Sequence, residues 1–110
     1  MSKGPLEGLT VIDASSIVAG PMAATVMADY GANVIKIEHP ARGDALRNMG
    51  LKKDGVPLWW KVLSRNKKVI TLSLSSPEGR EIFLKMIAKS DVLIENFRPG
   101  TMERWGLGFD

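Results

Sequence analysis

The chain contains no cysteine. A disulfide framework, a thiolate metal site and a thiol nucleophile are therefore excluded, and a reducing compartment suits it without being required. Histidine is nearly as scarce. His39 is the only one, with no second ligand and no nucleophile motif near it in sequence, so neither a metal site nor His-based catalysis is expected. No apolar run approaches the roughly 18 residues a membrane span needs, and the opening Met1-Ser2-Lys3-Gly4-Pro5 leads into no signal-peptide stretch. A cytoplasmic location with no membrane partner is the expectation. Charge of one sign is also lacking: 15 Lys and Arg face 12 Asp and Glu, a net charge of +3. A nucleic-acid binder ordinarily carries a denser basic face. The clusters Lys52-Lys53 and Arg65-Asn66-Lys67-Lys68 are short enough to read as solvated loops. Trp59-Trp60 beside them reads as core plus solvated charge rather than a base-stacking platform, and no nucleic-acid partner is expected.

What remains is an ordinary globular composition. The 110 residues, 45% hydrophobic and 25% charged, make about one domain. The 11 Gly and 6 Pro follow no period, which excludes fibrous and low-complexity classes.

Four short apolar runs rich in β-branched residues read as strands buried mostly on both faces: Leu9-Thr10-Val11-Ile12, Val34-Ile35-Lys36-Ile37, Val69-Ile70-Thr71-Leu72 and Val92-Leu93-Ile94. Between the first two, residues 21–31 read as a helix, with Pro21 at the first helical position and Gly31 as the left-handed stop. The pattern repeats before the fourth strand. Ser76 is the expected N-cap, Pro77 opens the first turn, and Ile82, Phe83, Met86 and Ile87 share one face, with Lys85 and Lys89 outward. A last short helix is expected between Pro99 and Gly106. Residues 39–68 show no sustained period. A connection of roughly this length, about 30 residues, is either functional or carries small elements of its own, and Trp59, Trp60, Val62 and Leu63 suit one helical turn packed on the core.

The predicted architecture is α/β: a Rossmann-like open parallel sheet with flanking helices, built from two strand–helix–strand units with right-handed crossovers. With only two good crossover helices for four buried-looking strands, further chain or a partner is expected to complete a larger, intertwined fold.

In an open parallel sheet, ligands bind outside the carboxyl ends of the strands. That rule selects residues 14–20, 39–44, 73–76 and 95–100. The first loop runs into a helix N-terminus, with Ala19 and Gly20 small enough for close backbone approach. It lacks the G-x-G-x-x-G fingerprint, so a standard NAD site is rejected, and Glu38 is expected to be solvent-facing or structural. Ser76 reads as a plain cap. In the fourth loop Asn96, Phe97 and Arg98 follow the strand directly: Phe97 can stack on a planar base and Arg98 can pair with phosphate. The same loop reads equally as a polar cap with Phe97 in the core. Arg104 reads as a solvated charge. The carboxylates form no acid–base pair; Asp13 caps its own turn, and Asp44 with Arg47 suits a local ion pair. Residue chemistry thus reaches a nucleotide-like anionic ligand on the carboxyl edge of the sheet, without catalytic machinery.

Taken together, particular segments go further. They are Pro5-Leu6-Glu7-Gly8-Leu9, Val11-Ile12-Asp13, Ala19-Gly20-Pro21, Gly31-Ala32-Asn33-Val34-Ile35-Lys36-Ile37-Glu38, Gly43-Asp44 with Arg47, Arg65-Asn66-Lys67-Lys68, Ser76-Pro77-Glu78-Gly79-Arg80 and Asp91-Val92-Leu93-Ile94-Glu95-Asn96-Phe97-Arg98-Pro99-Gly100. In order and spacing the chain resembles, from about residue 5 to its end, the N-terminal part of a class III CoA-transferase, the CaiB/BaiF family. The resemblance implies that coenzyme A, as acyl-CoA substrate, lies along this domain. It implies contacts at Val18 and Ala19, at His39, at Leu72, Ser73, Leu74 and Ser75, at Asn96, Phe97 and Arg98, and at Arg104, with no metal. His39 stands where some relatives carry Arg, and Ser75 where some carry Lys, which weakens the expected grip on phosphate at both; Lys67 or Lys68 is the compensation nearest in sequence.

The resemblance further implies transfer of CoA between carboxylic acids through an aspartyl nucleophile. No Asp here aligns with that nucleophile, Asp110 included. Residues 1–110 would then be an N-terminal CoA-binding segment, inactive alone, of a longer chain that forms an interlocked homodimer. Two alternatives stand beside it: an acyl-CoA racemase of the same superfamily, and a free-standing non-catalytic nucleotide-binding or interaction module.

Overall fold

Thr10–Asp13 forms the first strand, β1, whose alternate side chains enter opposite layers. Val11 packs with Ala24 and Ala28 on one face, and Ile12 with Phe83 and Met102 on the other. The structure, a computed structural model, describes residues 4–110, and Met1, Ser2 and Lys3 lie outside the described residues. From β1 the chain continues through α1 (Ala19–Asp29), β2 (Asn33–Glu38), a 3₁₀ turn (Ala45–Asn48), a small antiparallel hairpin of β3 (Lys52–Lys53) and β4 (Val56–Pro57), and α2 (Leu58–Leu63). It then forms β5 (Lys67–Thr71), α3 (Pro77–Ile87), β6 (Val92–Ile94) and α4 (Thr101–Arg104).

The main sheet is parallel throughout, in the order β5-β2-β1-β6. With the hairpin set aside this is the 3-2-1-4 order of a dinucleotide-type doubly wound sheet. After β1 the chain moves outward to β2 and β5, then returns through α3 to pair β6 with the other side of β1. The order therefore reverses at β1 and β6, and the loops leaving those two strands flank the crevice in which such sheets hold ligands.

The α/β fold, the four strand positions and α3 agree with the sequence reading. Ser76 caps α3 by accepting the Gly79 N–H at 3.0 Å, and Gly31 takes the left-handed stop, φ +104. The long connection carries its own elements, with Trp60 and Leu63 buried against Leu46.

Several details differ. Helix α1 begins at Ala19, so Pro21 is its third residue; the first four N–H groups of a helix lack intrahelical acceptors, and proline loses nothing there. The edge strands are not buried on both faces: Val69, Ile70 and Leu93 are each more than a third exposed. Ile82, expected inward, is 49% exposed, while its neighbour Phe83 is 1% exposed and anchors α3. Trp59 and Val62 also face outward. The basic run 65–68 is no loop. Lys67 and Lys68 open β5, the Lys67 side chain is fully buried, and Arg65 pairs with Asp29 at 2.6 Å. Among the described residues, no helix is long and apolar enough to cross a membrane.

Gly79 shows how tightly α3 seats on the sheet. It is buried, and a Cβ there would collide with the Ser73 carbonyl. Alanine is intrinsically the better helix former, by about 1 kcal/mol. Overpacking against backbone outweighs that gain, so Gly79→Ala is expected to destabilise the protein by about 1–3 kcal/mol, read by chemical denaturation.

Candidate functional site

The carboxyl edge of the sheet is organised by buried charge. Asp13 ends β1 and lies in register with Lys36 of β2, on the face covered by α1. Asp13 accepts the Ser15 N–H at 3.1 Å and the Ser15 hydroxyl, so it caps its own turn as the sequence indicates. Its other oxygen faces the Lys67 ammonium at 2.8 Å and the Lys36 ammonium at 3.9 Å. Lys36 also sits 2.8 Å from Asp44 Oδ2 and donates to the Ser15 carbonyl at 2.9 Å. The Lys36 contact with Asp44 is mainly Coulombic, off the direction of a good hydrogen bond, and no other donor reaches that oxygen. All four side chains are shut off from solvent. Two cations thus offset two anions, and no net charge is left in the low-dielectric interior.

This cluster shapes the loop after β1. Asp44 Oδ1 accepts the N–H groups of Ile17 at 3.0 Å and Leu46 at 2.9 Å, tying that loop to the start of the 3₁₀ turn. Across the crevice the Asn96 carboxamide accepts the Ser16 N–H and donates to the Ser16 carbonyl, both at 2.9 Å. Between these two clamps Ile17 adopts φ +70, a left-handed conformation that strains a β-branched residue by roughly 1–3 kcal/mol. The clamps hold a conformation the chain would not adopt alone.

Burial alone would push the Asp44 carboxyl up. The Lys36 ammonium and the amides of Leu46 and Ile17 outweigh it, so its pKa lies below the usual 3.8. Burial pushes Lys67 down from its usual 10.5, and Asp13 opposes the shift only in part. Beside the cluster, Glu38 takes a bidentate grip from Arg47 at 2.8 and 2.7 Å and accepts the Asp44 N–H at 2.8 Å. Arg47 first, then that amide, hold Glu38 below its usual 4.5 against the burial that would raise it. The Arg47 guanidinium lies 3.8 Å from the centre of the Trp60 ring. The expected Asp44–Arg47 pair is therefore not formed: Asp44 turns inward to Lys36, and Arg47 takes Glu38 instead. Glu38 is structural, as expected, but buried rather than solvent-facing.

Next to this scaffold lies a cavity of about 410 Å³. Its walls come from the ends of β1 (Ala14, Ser15, Ser16), β2 (Ile37, Glu38, His39) and β5 (Leu72, Leu74, Ser75), from residues 42–45 and 48, and from Phe97 with Trp105. The last two rings meet edge to face, 5.1 Å between centroids. One wall is apolar and aromatic; the other carries hydroxyls and the anchored loop.

Of the positions singled out in sequence, His39, Leu72, Leu74, Ser75 and Phe97 line this cavity. His39 Nδ1 accepts the N–H groups of Ala41 at 3.1 Å and Arg42 at 3.4 Å. The others do not line it. Val18 packs on the Leu46, Trp60 and Leu63 cluster, and Ala19 opens α1. The Ser73 hydroxyl lies 3.2 Å from that of Ser75. Asn96 is engaged with Ser16, Arg98 is exposed, and Arg104 donates to the Thr101 hydroxyl at 3.1 Å. Sequence reasoning missed Lys36, Trp105 and the role of Lys67. The available signal was a lysine inside an otherwise apolar strand. Among the described residues no group of three or more His, Cys, Asp or Glu side chains is placed to hold a metal ion.

Comparison with known proteins places this arrangement in a class. The profile of CoA-transferase family III matches residues 6–110. The β subunit of succinyl-CoA–L-malate CoA-transferase from Chloroflexus aurantiacus is 53% identical over 107 residues, covering 96% of this chain and 26% of that protein. Acetyl-CoA:oxalate CoA-transferase from Acetobacter aceti is 44% identical over 108 residues, covering 98% of this chain and 28% of that one. The crystal structure of a CaiB/BaiF family protein from Brucella suis superposes with a TM-score of 0.89 at 35% identity, covering 98% of this chain and 30% of that one. The chain belongs to CoA-transferase family III. It spans about a quarter of the length of the curated relatives it matches.

Two predictions follow from the buried charges. Lys36→Met leaves Asp44 and Asp13 short of a cation and should cost about 3–5 kcal/mol of stability. The double variant Lys36→Met with Asp44→Asn should lose less than the two single losses summed, in a denaturation double-mutant cycle. The second concerns pH. The folded pKa values of Glu38 and Asp44 lie below their unfolded ones, so their contribution is complete above the unfolded values and fades as pH falls through the folded ones. Stability measured downward from pH 7 should stay level from this source until about pH 4–5 and then drop. Glu38→Gln should flatten part of that drop.

Proposed function

We propose that residues 1–110 are the N-terminal CoA-binding segment of an acyl-CoA:carboxylate CoA-transferase. One observation carries the reading: the cavity at the strand ends is lined by five of the positions that the family resemblance assigns to CoA, His39, Leu72, Leu74, Ser75 and Phe97. Its size suits the nucleotide end of CoA within the usual range for small-molecule sites. In this reading the adenine lies along the apolar wall of Leu72, Leu74 and Phe97. Val18 and Ala19 offer close main-chain approach where α1 begins, Ser73 and Ser75 offer hydroxyls, and Asn96, Arg98 and Arg104 border the path toward the phosphates.

The reaction would pass CoA from one carboxylic acid to another. An aspartate outside these residues attacks the acyl carbon of acyl-CoA and displaces the CoA thiolate, leaving a mixed anhydride. The thiolate then attacks the aspartyl carbonyl, releasing the first acid and leaving an enzyme–CoA thioester. The second acid collects CoA through the same two steps in reverse order. The covalent route replaces one difficult transfer by a series of easier displacements. The residues described here bind and orient CoA and supply no nucleophile. The names of the two curated relatives above favour transfer over racemisation and over a non-catalytic module. The acyl donor, the acceptor acid, a cytoplasmic setting and an interlocked homodimer belong to the whole protein.

The test uses the full natural chain. Arg98→Ala and Arg104→Ala should each raise the Kd for CoA by about tenfold in calorimetric titration, the range expected for a lost charged hydrogen bond, with the fold intact by circular dichroism. CoA transfer from an acyl-CoA to a dicarboxylate should fall in parallel. Unchanged affinity in both variants would sink the assigned site.

A further inference from the structure

The cavity holds one charge that nothing among the described residues balances. Among its lining residues the ionised acids are Glu38 and Asp44, and both are matched internally, by Arg47 and by Lys36. Arg42 also lines the cavity, is exposed, and forms no ion pair among the described residues. Its place is fixed by a short turn. The His39 carbonyl accepts the Gly43 N–H at 2.9 Å, and His39 Nδ1 accepts the N–H groups of Ala41 and Arg42. Gly43, at φ +63, ends the turn against Glu38 and Arg47. The imidazole therefore acts as a brace for the turn that carries the guanidinium.

The two lysines nearest in sequence to a compensating role are placed otherwise. Lys67 is buried on Asp13 and donates to the Pro21 carbonyl at 2.7 Å. Lys68 lies on the edge strand and does not line the cavity. The geometry points to Arg42 as the residue that binds a phosphate of the nucleotide, supplying the cation that His39 and Ser75 do not. A guanidinium offers phosphate paired N–H donors in a planar fork, and an unbalanced charge at the mouth of a low-dielectric cavity draws an anion inward. This inference rests on the CoA reading above and adds to it a residue and a role.

Calorimetric titration of CoA into the full chain, at low and high ionic strength, tests it with the wild type, Arg42→Ala and Arg42→Lys. Arg42 is exposed, so neither substitution disturbs the core. The expected result at low salt is an increase in Kd of about tenfold for Arg42→Ala and a smaller one for Arg42→Lys. The gap between wild type and Arg42→Ala should narrow as salt screens the contact. A Kd for Arg42→Ala within twofold of wild type, or a loss equal at both ionic strengths, would overturn the assignment to Arg42 and leave the CoA reading standing. A wild-type chain that binds no CoA would overturn the CoA reading and this assignment with it.

Discussion

The Lys36 ammonium, held between Asp13 and Asp44, is the contact on which the carboxyl edge of this sheet depends. A lone buried ammonium is far too costly to leave unpaired, so its two acids must come to it. One arrives from the adjacent strand and the other from the loop after β2. Each brings a piece of backbone: Asp13 the Ser15 turn, Asp44 the Ile17 amide and the start of the 3₁₀ turn. Lys67 completes the set by matching Asp13 from the far side. A buried pair of this kind adds little net stability over a well-packed apolar group. What it adds here is position, because it ties the ends of β1 and β2 to the loop that follows β2.

The same arrangement accounts for the strain at Ile17. A β-branched residue in the left-handed region is unfavourable in isolation. It persists because Asp44 holds its amide and Asn96 grips Ser16 from across the crevice. The loop that opens α1 is therefore held by side chains of the protein itself, and a loop fixed in this way carries a smaller ordering cost in any binding it takes part in. The Glu38, Arg47 and Trp60 stack extends this scaffold under the other side of the cavity. Lys67, a cation the sequence offered for phosphate, proves to be framework, and Arg42 is the cavity-lining charge that the framework does not match among the described residues.

The strands at 11–12, 34–37 and 92–94 follow from β-branched runs between turn signals, and α3 from its cap, its proline and its apolar spacing. The strand-end rule located the cavity, because it depends only on parallel order. The order and spacing of short segments pointed to the family, which the profile match bears out. The exposed face of Ile82 was not legible, since α3 covers only the central strands and its turn over them is a matter of packing. Nor was the partner of Arg47, because Asp44 and Glu38 are both within its reach along the chain.

By itself, then, the sequence determined the α/β class, the parallel direction of the strands and the sheet edge on which the cavity lies. These rest on local propensity, periodicity and chain connectivity, all of which are encoded over short stretches. Only the tertiary structure decided which charges are internal and which are open. Lys36 and Lys67 look no different from Lys68 or Arg42 until the sheet brings Asp13 and Asp44 against two of them and leaves the others outside. Ion pairing at long range is set by which residues the fold places together, and no spacing along the chain reports it.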